Sequence, residues 1–404
     1  MAKELHVHYL IRQRWPARAP QALQILSSAA ALADAGARVY LPMDRPLEGI
    51  PPSREHLLAA YGLEDPGEDR LRLIPLLSAR RTPAGAEFRS RFIVGLLRDW
   101  ASGGQPVLLS RHFSYSAASL RLIRALRLPF PLVFEWHYAP SLNALEAGRK
   151  DEAARLSRIE RRIAAWADGH VAVSRHMADW LRDNRMPRGP VAVIPNGGPT
   201  PRGQRDIDGS TREPRVVYAG LFRRSADFDL IVRAARYLGP EVRIEVFGRD
   251  EEGRVWRELR ERIRAQGLSN RVRLRGHLPP SELRATLRSA RVALAVFADI
   301  VDRRMAGCPL KILEYHAAGI PVVSTDHPVI HELIEDGESG LLVPHDDPRA
   351  LARAIHRLLD DRALAARLSR KGLERAASAS WKRRGERLAQ WLRTIRDARR
   401  VLRP

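Results

Sequence analysis

The chain has 404 residues, 45% of them hydrophobic and 29% charged, and a formal net charge of +22 in which only five of 69 basic residues are lysine. That length suits two domains of about 200 residues each, and the composition is ordinary for a soluble globular protein. A single cysteine, Cys308, excludes an intramolecular disulfide and a cysteine-only metal site; the stretch 23–41 holds Asp34 and Arg38 and does not read as a membrane span.

The N-terminus runs straight into a strand-like segment at 5–10, with no signal-peptide apolar run before it, so a cytoplasmic protein is expected. Residues 20–35 carry helical periodicity and stop at Gly36, a suitable C-terminal cap. Short apolar strands follow at 39–41, 107–109, 132–134, 170–173 and 191–194. Between them Phe88, Phe92, Leu96 and Trp100 recur every four residues as one helical stripe, among Arg80, Arg81, Arg89, Arg91 and Arg98. This helix either packs on its own sheet or lies in an anionic lipid surface; in a mixed arrangement Ile93 and Leu97 turn to the core and the arginine edge to lipid. Residues 195–203 are rich in Pro and Gly and break any regular element, which places a domain boundary there: 1–198, then 199–384.

The second half restarts the alternation. Strands are expected at 216–220, 242–247, 272–274, 292–297 and 321–324, and helices at 229–238, 255–266, 282–290 and 309–318. Two Arg- and Ala-rich helices follow at 348–360 and 362–377, then an amphipathic helix over about 381–401. Strands alternating with helices, with few hairpin signals, give an α/β class with parallel sheets.

The segment 307–323 is the most informative. A glycine-containing loop, Gly307-Cys308, leads into a helix opened by Pro309 and Leu310. Such a helix start offers free backbone N–H groups and partial positive charge to a phosphate. Lys311 adds a compact cation, and Glu314, one turn on, can accept hydrogen bonds from a ribose diol. An ordinary crossover helix with a surface Lys–Glu pair is the plain alternative.

Pro309-Leu310-Lys311 followed by Glu314-Tyr315, Ala317, Gly319 and Pro321-Val322-Val323 resembles the donor-site signature of retaining GT-B glycosyltransferases of family 4. The segments 216–235, 246–248, 272–277, 332–343 and 193–197 resemble further blocks of that family, and residues from Trp381 look like its helix crossing back to the N-terminal domain, here about 385–404. The resemblance implies a GT-B architecture: two Rossmann-like domains facing across a cleft. It implies that Glu314 binds the donor ribose, that Lys311 and Arg223 or Arg224 neutralise the diphosphate, and that Gly220, Gly248, Arg275, Gly276 and His277 line the donor site. The family's further glutamate, eight residues before Glu314, is Ala306 here, which leaves backbone groups of Gly307 and Cys308 in its place. On the acceptor side the resemblance points to the turn Arg18-Ala19-Pro20-Gln21 and to His112 or His137. Each histidine follows a strand, and clefts form at the carboxyl ends of parallel strands, although a lone histidine is more often structural. Ser174 reads as a helix cap.

The reading is therefore a nucleotide-sugar-dependent transferase acting on a glycan or lipid-linked acceptor in cell-envelope or polysaccharide synthesis. It needs no cofactor: a leaving diphosphate calls for fixed cations or a metal, and the sequence offers cations but no convincing metal cluster. An anionic membrane surface, at the inner face of the cytoplasmic membrane, is a candidate partner. The rival reading is a basic nucleic-acid- or anionic-surface-binding protein without activity, but no aromatic platform or recognition element accompanies the arginines. A dinucleotide-dependent enzyme is excluded, because no Gly-x-Gly-x-x-Gly joins the first strand to its helix.

Overall fold

The computed structural model describes the chain except for residues 1–3, 12–14, 16–19, 45–52, 77–83, 202–213, 222–227, 250–252, 298–306 and 402–404. The polypeptide folds as two units. One comprises Met1–Asn196, Ala306–Cys308 and Trp381–Pro404, and the other Gly197–Met305 and Pro309–Ser380. Relative to the division 1–198 and 199–384, the loop ending at Cys308 and residues 381–384 belong to the first unit, and Gly197 and Gly198 to the second.

The first unit alternates β1 (Leu5–Leu10), α1 (Pro20–Asp34), β2 (Ala37–Asp44), α2 (Arg54–Ala60), β3 (Leu71–Leu76), α3 (Ala84–Ala101), β4 (Pro106–Ser110), α4 (Phe113–Ala125) and β5 (Leu132–Trp136). It continues through α5 (Pro140–Glu146), α6 (Lys150–Trp166), β6 (Gly169–Ala172), α7 (Arg175–Arg185) and β7 (Val191–Val193). The seven strands pair in parallel in the order β3-β2-β1-β4-β5-β6-β7. The second unit holds β8 (Arg215–Leu221), α8 (Asp229–Ala235), β9 (Arg243–Arg249), α9 (Arg254–Ala265), β10 (Val272–Gly276), α10 (Pro280–Arg288) and β11 (Val292–Ala295). After these come α11 (Leu310–Ala317), β12 (Val322–Thr325), β13 (Leu341–Val343), α12 (Pro348–Asp360) and α13 (Arg362–Ser378). Its six parallel strands run β10-β9-β8-β11-β12-β13. Both orders contain the doubly wound 3-2-1-4-5-6 arrangement of a dinucleotide-binding sheet. Helices cover both faces of such a sheet, so its central strands read as unbroken apolar runs rather than alternating ones; β4, β5, β11 and β12 are buried throughout.

This topology positions the sites. In a doubly wound sheet the crevice opens where strand order reverses, beyond the carboxyl ends of the strands. In the first unit that point lies between β1 and β4, and in the second between β8 and β11.

The last helix, α14 (Trp381–Val401), packs on α1. Leu388, Ala389 and Leu392 are fully buried, and Gly385 lies so close to the Ala31 backbone that a side chain there would strike it. Arginines of α14 close open backbone carbonyls: Arg387 donates to Val193, Arg393 to Ala35, Arg396 to Glu4 and Arg399 to Leu128. Part of the basic excess thus serves packing.

The α3 stripe is not one face. Leu96 and Asp99 are buried against the sheet, while Val94, Leu97 and Trp100 are exposed, Trp100 by 50%. Leu97 therefore points away from the core, contrary to the mixed arrangement expected for it: with 3.6 residues per turn, a side chain next to buried Leu96 falls about 100° away. The side chains of Phe88, Phe92, Arg89 and Arg91, and residues Arg80 and Arg81 altogether, lie outside the described residues.

Candidate active site

In the second unit, chemistry gathers around the start of α11. Pro309 occupies its N-cap without a side-chain hydrogen bond, as a proline must, so no cap side chain covers the first-turn N–H groups. The Lys311 ammonium donates to the Tyr218 hydroxyl at 2.7 Å and lies 4.1 Å from the centre of the Tyr218 ring and 4.9 Å from that of Phe297. Two aromatic faces thus hold a cation in place. One turn on, Tyr315 brackets Ala219: its hydroxyl accepts from the Ala219 N–H at 2.8 Å and donates to the Ala219 carbonyl at 3.3 Å. Lys311 and Tyr315, four residues apart on one helix face, so clamp the end of β8.

Next to last in β8 is Gly220, where a β-carbon would stand 2.8 Å from the Tyr218 hydroxyl and 2.9 Å from the Lys311 ammonium. Glycine is what leaves room for the lysine. Glu314 lies partly buried beside this group. Burial pushes its carboxyl up to about 7, against the opposing pull of Arg284 and Lys311. On the far face of α11, buried His316 places Nε2 3.0 Å from the Ser339 carbonyl. Burial lowers its pKa to about 4, so it stays neutral and ties the helix to the turn before β13.

Gly220, Lys311 and Glu314 come together as the sequence suggested. The other donor-side candidates fare differently. Arg223 and Arg224 lie outside the described residues. Gly248, next to last in β9, is half-buried. Gly276 ends the edge strand β10 at φ +83°, a left-handed turn that favours glycine, and His277 beyond it is exposed. Arg275 places its guanidinium on Glu245 of β9, which also takes Arg215. Burial raises the Glu245 carboxyl, but the two arginines outweigh it and hold it below its usual range. Gly307 and Cys308 belong to the first unit, where the Asn196 side-chain amide donates to the Cys308 carbonyl at 2.9 Å.

The first unit separates the two histidines. His112 is the N-cap of α4; its Nδ1 accepts from the Tyr115 N–H at 3.4 Å, and its ring rests on that of Tyr115. Ser174 caps α7, accepting from Met177 at 2.9 Å, as its sequence position suggested. His137 follows β5 and lies among buried polar groups: Nε2 is 2.9 Å from Oε1 of Glu135. Burial lowers its pKa to about 4, Arg111 adding to the effect and Glu135 opposing it, so the imidazole is neutral. Burial alone would raise the Glu135 carboxyl; Arg384, His137 and Arg111 instead hold it well below the usual carboxylate range. Of the turn 18–21, Arg18 and Ala19 lie outside the described residues, Pro20 opens α1 and Gln21 is exposed. Gln24, one turn further, reaches this cluster instead. Sequence reasoning passed over Tyr9, Gln24, Glu135, Tyr218, Phe297, Tyr315 and Arg384. For Glu135 a signal existed, since residues two apart along a strand share a face.

Residues 23–200 match the family described as Glycosyltransferase Family 4, and residues 213–361 that described as Glycosyl transferases group 1. The chain is 27% identical over 278 residues to the putative colanic acid biosynthesis glycosyltransferase WcaL of Escherichia coli, covering 67% of this chain and 66% of that protein. It thus spans just under two thirds of that relative, and about a quarter or less of the next curated relatives it matches. Sucrose-phosphate synthase of Thermosynechococcus elongatus shares its fold, with a TM-score of 0.73 at 21% identity, over 98% of this chain and 100% of the other. Anabaena HepE, solved in complex with UDP-glucose, does so with a TM-score of 0.69 at 16% identity, over 96% and 99%.

Proposed function

The chain belongs to the family 4 glycosyltransferases of GT-B architecture, and from that premise we propose that it moves a sugar from a nucleotide-sugar donor to a hydroxyl of a polysaccharide or other envelope glycan acceptor, with retention at the transferred carbon. The arrangement of Lys311 and Glu314 beside the Gly220 end of β8 carries this reading.

Glu314, ionised, accepts hydrogen bonds from the donor ribose. Lys311 and the N–H groups opening α11 meet the diphosphate, with Arg223 or Arg224 as further cations. As the glycosidic bond to phosphate breaks, negative charge grows on the leaving oxygen, and a fixed ammonium there stabilises the transition state more than the ground state. These cations do the work for which a metal is otherwise used, and the reading includes no cofactor. His137 lies on the acceptor side in preference to His112, whose Nδ1 is already engaged in capping α4. The acceptor proton passes to the departing phosphate in a front-face mechanism; retention is what family membership supports.

The curated relative named for colanic acid biosynthesis supports an envelope polysaccharide as the product class. The outward apolar residues Val94, Leu97 and Trp100 on α3, with the chain's basic charge, support docking at an anionic membrane surface. No helix among the described residues is long and apolar enough to cross a membrane. A nucleic-acid role is disfavoured by the arginines of α14 that are committed to backbone carbonyls.

Calorimetry with a panel of nucleotide-sugars and their nucleosides tests the assignment. Glu314→Ala should weaken donor binding by roughly 1.5–3 kcal/mol, the worth of a charged hydrogen bond. Lys311→Met should weaken nucleoside diphosphates far more than nucleosides. Equal losses for both ligands, or unchanged donor affinity in Glu314→Ala, would remove these residues from the site.

A further inference from the structure

Glu135, next to last in β5, is a buried carboxylate on which side chains from distant parts of the first unit converge. Tyr9 donates to Oε2 at 3.0 Å and Gln24 to Oε1 at 3.1 Å. Arg384 of α14 also donates to Oε1. The remaining guanidinium donors of Arg384 reach Ser28 Oγ at 3.2 Å and the carbonyls of Ile194 and Pro195 at 2.6 and 2.5 Å. Buried ion pairs seldom stabilise a fold beyond what apolar packing of the same volume provides. The cluster instead bears on the imidazole beside it.

His137 Nε2 lies 2.9 Å from Glu135 Oε1, at ion-pair distance though off the line of a straight hydrogen bond. A neutral imidazole has one protonated nitrogen and one lone pair. A lone pair on Nε2 would face the lone pairs of the carboxylate, so the proton belongs on Nε2 and the lone pair on Nδ1. With burial keeping the ring neutral down to about 4, the tautomer is what remains to be fixed. Within the first unit, a β-carbon on Gly307 would stand 3.1 Å from the His137 carbonyl oxygen.

We propose that Glu135, anchored by Arg384 of the C-terminal helix, is a positioning residue that fixes His137 in its Nε2–H tautomer and presents Nδ1 as the hydrogen-bond acceptor for an acceptor-sugar hydroxyl neighbouring the one that reacts, whose own proton is left for the departing phosphate. The last helix of the chain then completes the acceptor site as well as packing on α1. This rests on the reading that His137 faces the acceptor, and the test separates the two.

Nitrogen-15 histidine NMR on the full-length protein reads the tautomer directly, with the His137 signals identified by their loss in His137→Gln. The wild type should show the Nε2–H form. Glu135→Gln combined with Arg384→Met removes the buried ion pair as a unit, while Arg111 keeps its hydrogen bond to the Gln24 side chain. In it the tautomer should become mixed or invert, and turnover of a nucleotide-sugar should fall at least about tenfold while donor binding holds. Glu135→Asp should restore the Nε2–H form. An Nδ1–H wild type, or a tautomer unmoved in the double variant, overturns the proposal. If the tautomer moves as expected yet His137→Gln turns over donor at the wild-type rate, the acceptor-side reading of His137 falls, and the functional half of the proposal with it.

Discussion

Glu314 is an ionisable group held in a place that penalises its charge. Its folded-state pKa is raised to about 7 by burial, so the native state binds the proton more tightly than the unfolded chain. The stability that this group contributes is fully present below its unfolded value and is lost as pH rises through about 7. At pH 8 the ionised carboxylate costs roughly 3 kcal/mol before any screening by solvent. Donor binding runs the other way, because the carboxylate is the better acceptor for ribose hydroxyls. Glu314→Gln should therefore be more stable than wild type at pH 8 and flatter between pH 5 and 8. Wild-type affinity for a nucleotide-sugar should rise through pH 7, and the variant should lose that rise; equal pH profiles for the two proteins would exclude this role. Gly220 offers a second test. Its would-be β-carbon meets the Lys311 ammonium and the buried Tyr218, at the hydroxyl and at a ring carbon 3.1 Å away. Gly220→Ala should cost about 1–3 kcal/mol of stability, as overpacking does, and weaken diphosphate binding by displacing the ammonium. A large loss of stability with intact binding would contradict this.

At the level of elements, what the sequence revealed depended on how local the signals are. Lys311 and Glu314 are three residues apart on one helix, between a proline start and Gly319, and Gly220 lies next to last in a strand of plain apolar pattern. All three were legible because turn and cap chemistry is written in adjacent residues. The Glu135–Arg384 contact spans 249 positions, and no periodicity in either segment announces the other. β13, three residues beside β12, follows a Gly- and Ser-containing turn and carries no alternation that marks it as a strand. His112 follows a strand end, where the family resemblance points to an acceptor-side histidine, and its Nδ1 caps α4; Ser174 caps α7, as a preferred cap residue does. The helix α3 shows how a period can mislead. Spacing of four drifts about 40° per step around a helix, so a stripe drawn through Leu96 and Trp100 ends on solvent. That exposed end makes a testable docking surface. Cosedimentation with vesicles should increase with anionic lipid content and fade with salt, and Leu97→Ser with Trp100→Ser should weaken it. Binding indifferent to lipid charge, or to the double substitution, would argue for a protein or glycan contact there instead.

At the scale of the whole molecule, each sheet has its own core and its own part of the chemistry, and the two cores can be perturbed separately. The donor residues Lys311 and Glu314 lie in the second unit, while α14 completes the core of the first. Leu392 is fully buried in that core beside Ile25 and Leu26 of α1. Leu392→Ala removes apolar burial and leaves a cavity, a change that costs about 2–5 kcal/mol. A nucleoside diphosphate at one hundred times its Kd stabilises whatever binds it by about 2.7 kcal/mol. Multidomain chains commonly depart from two-state unfolding, so differential scanning calorimetry should resolve two transitions. Ligand should raise one of them, and Leu392→Ala should lower the other. Glu314→Ala should abolish the ligand-dependent rise without touching the transition that responds to Leu392. A single transition moved by all three perturbations would mean that the two units unfold as one, with α14 and the donor helix in the same cooperative body. A ligand effect confined to the Leu392-sensitive transition would place nucleotide binding in the first unit and refute the donor assignment.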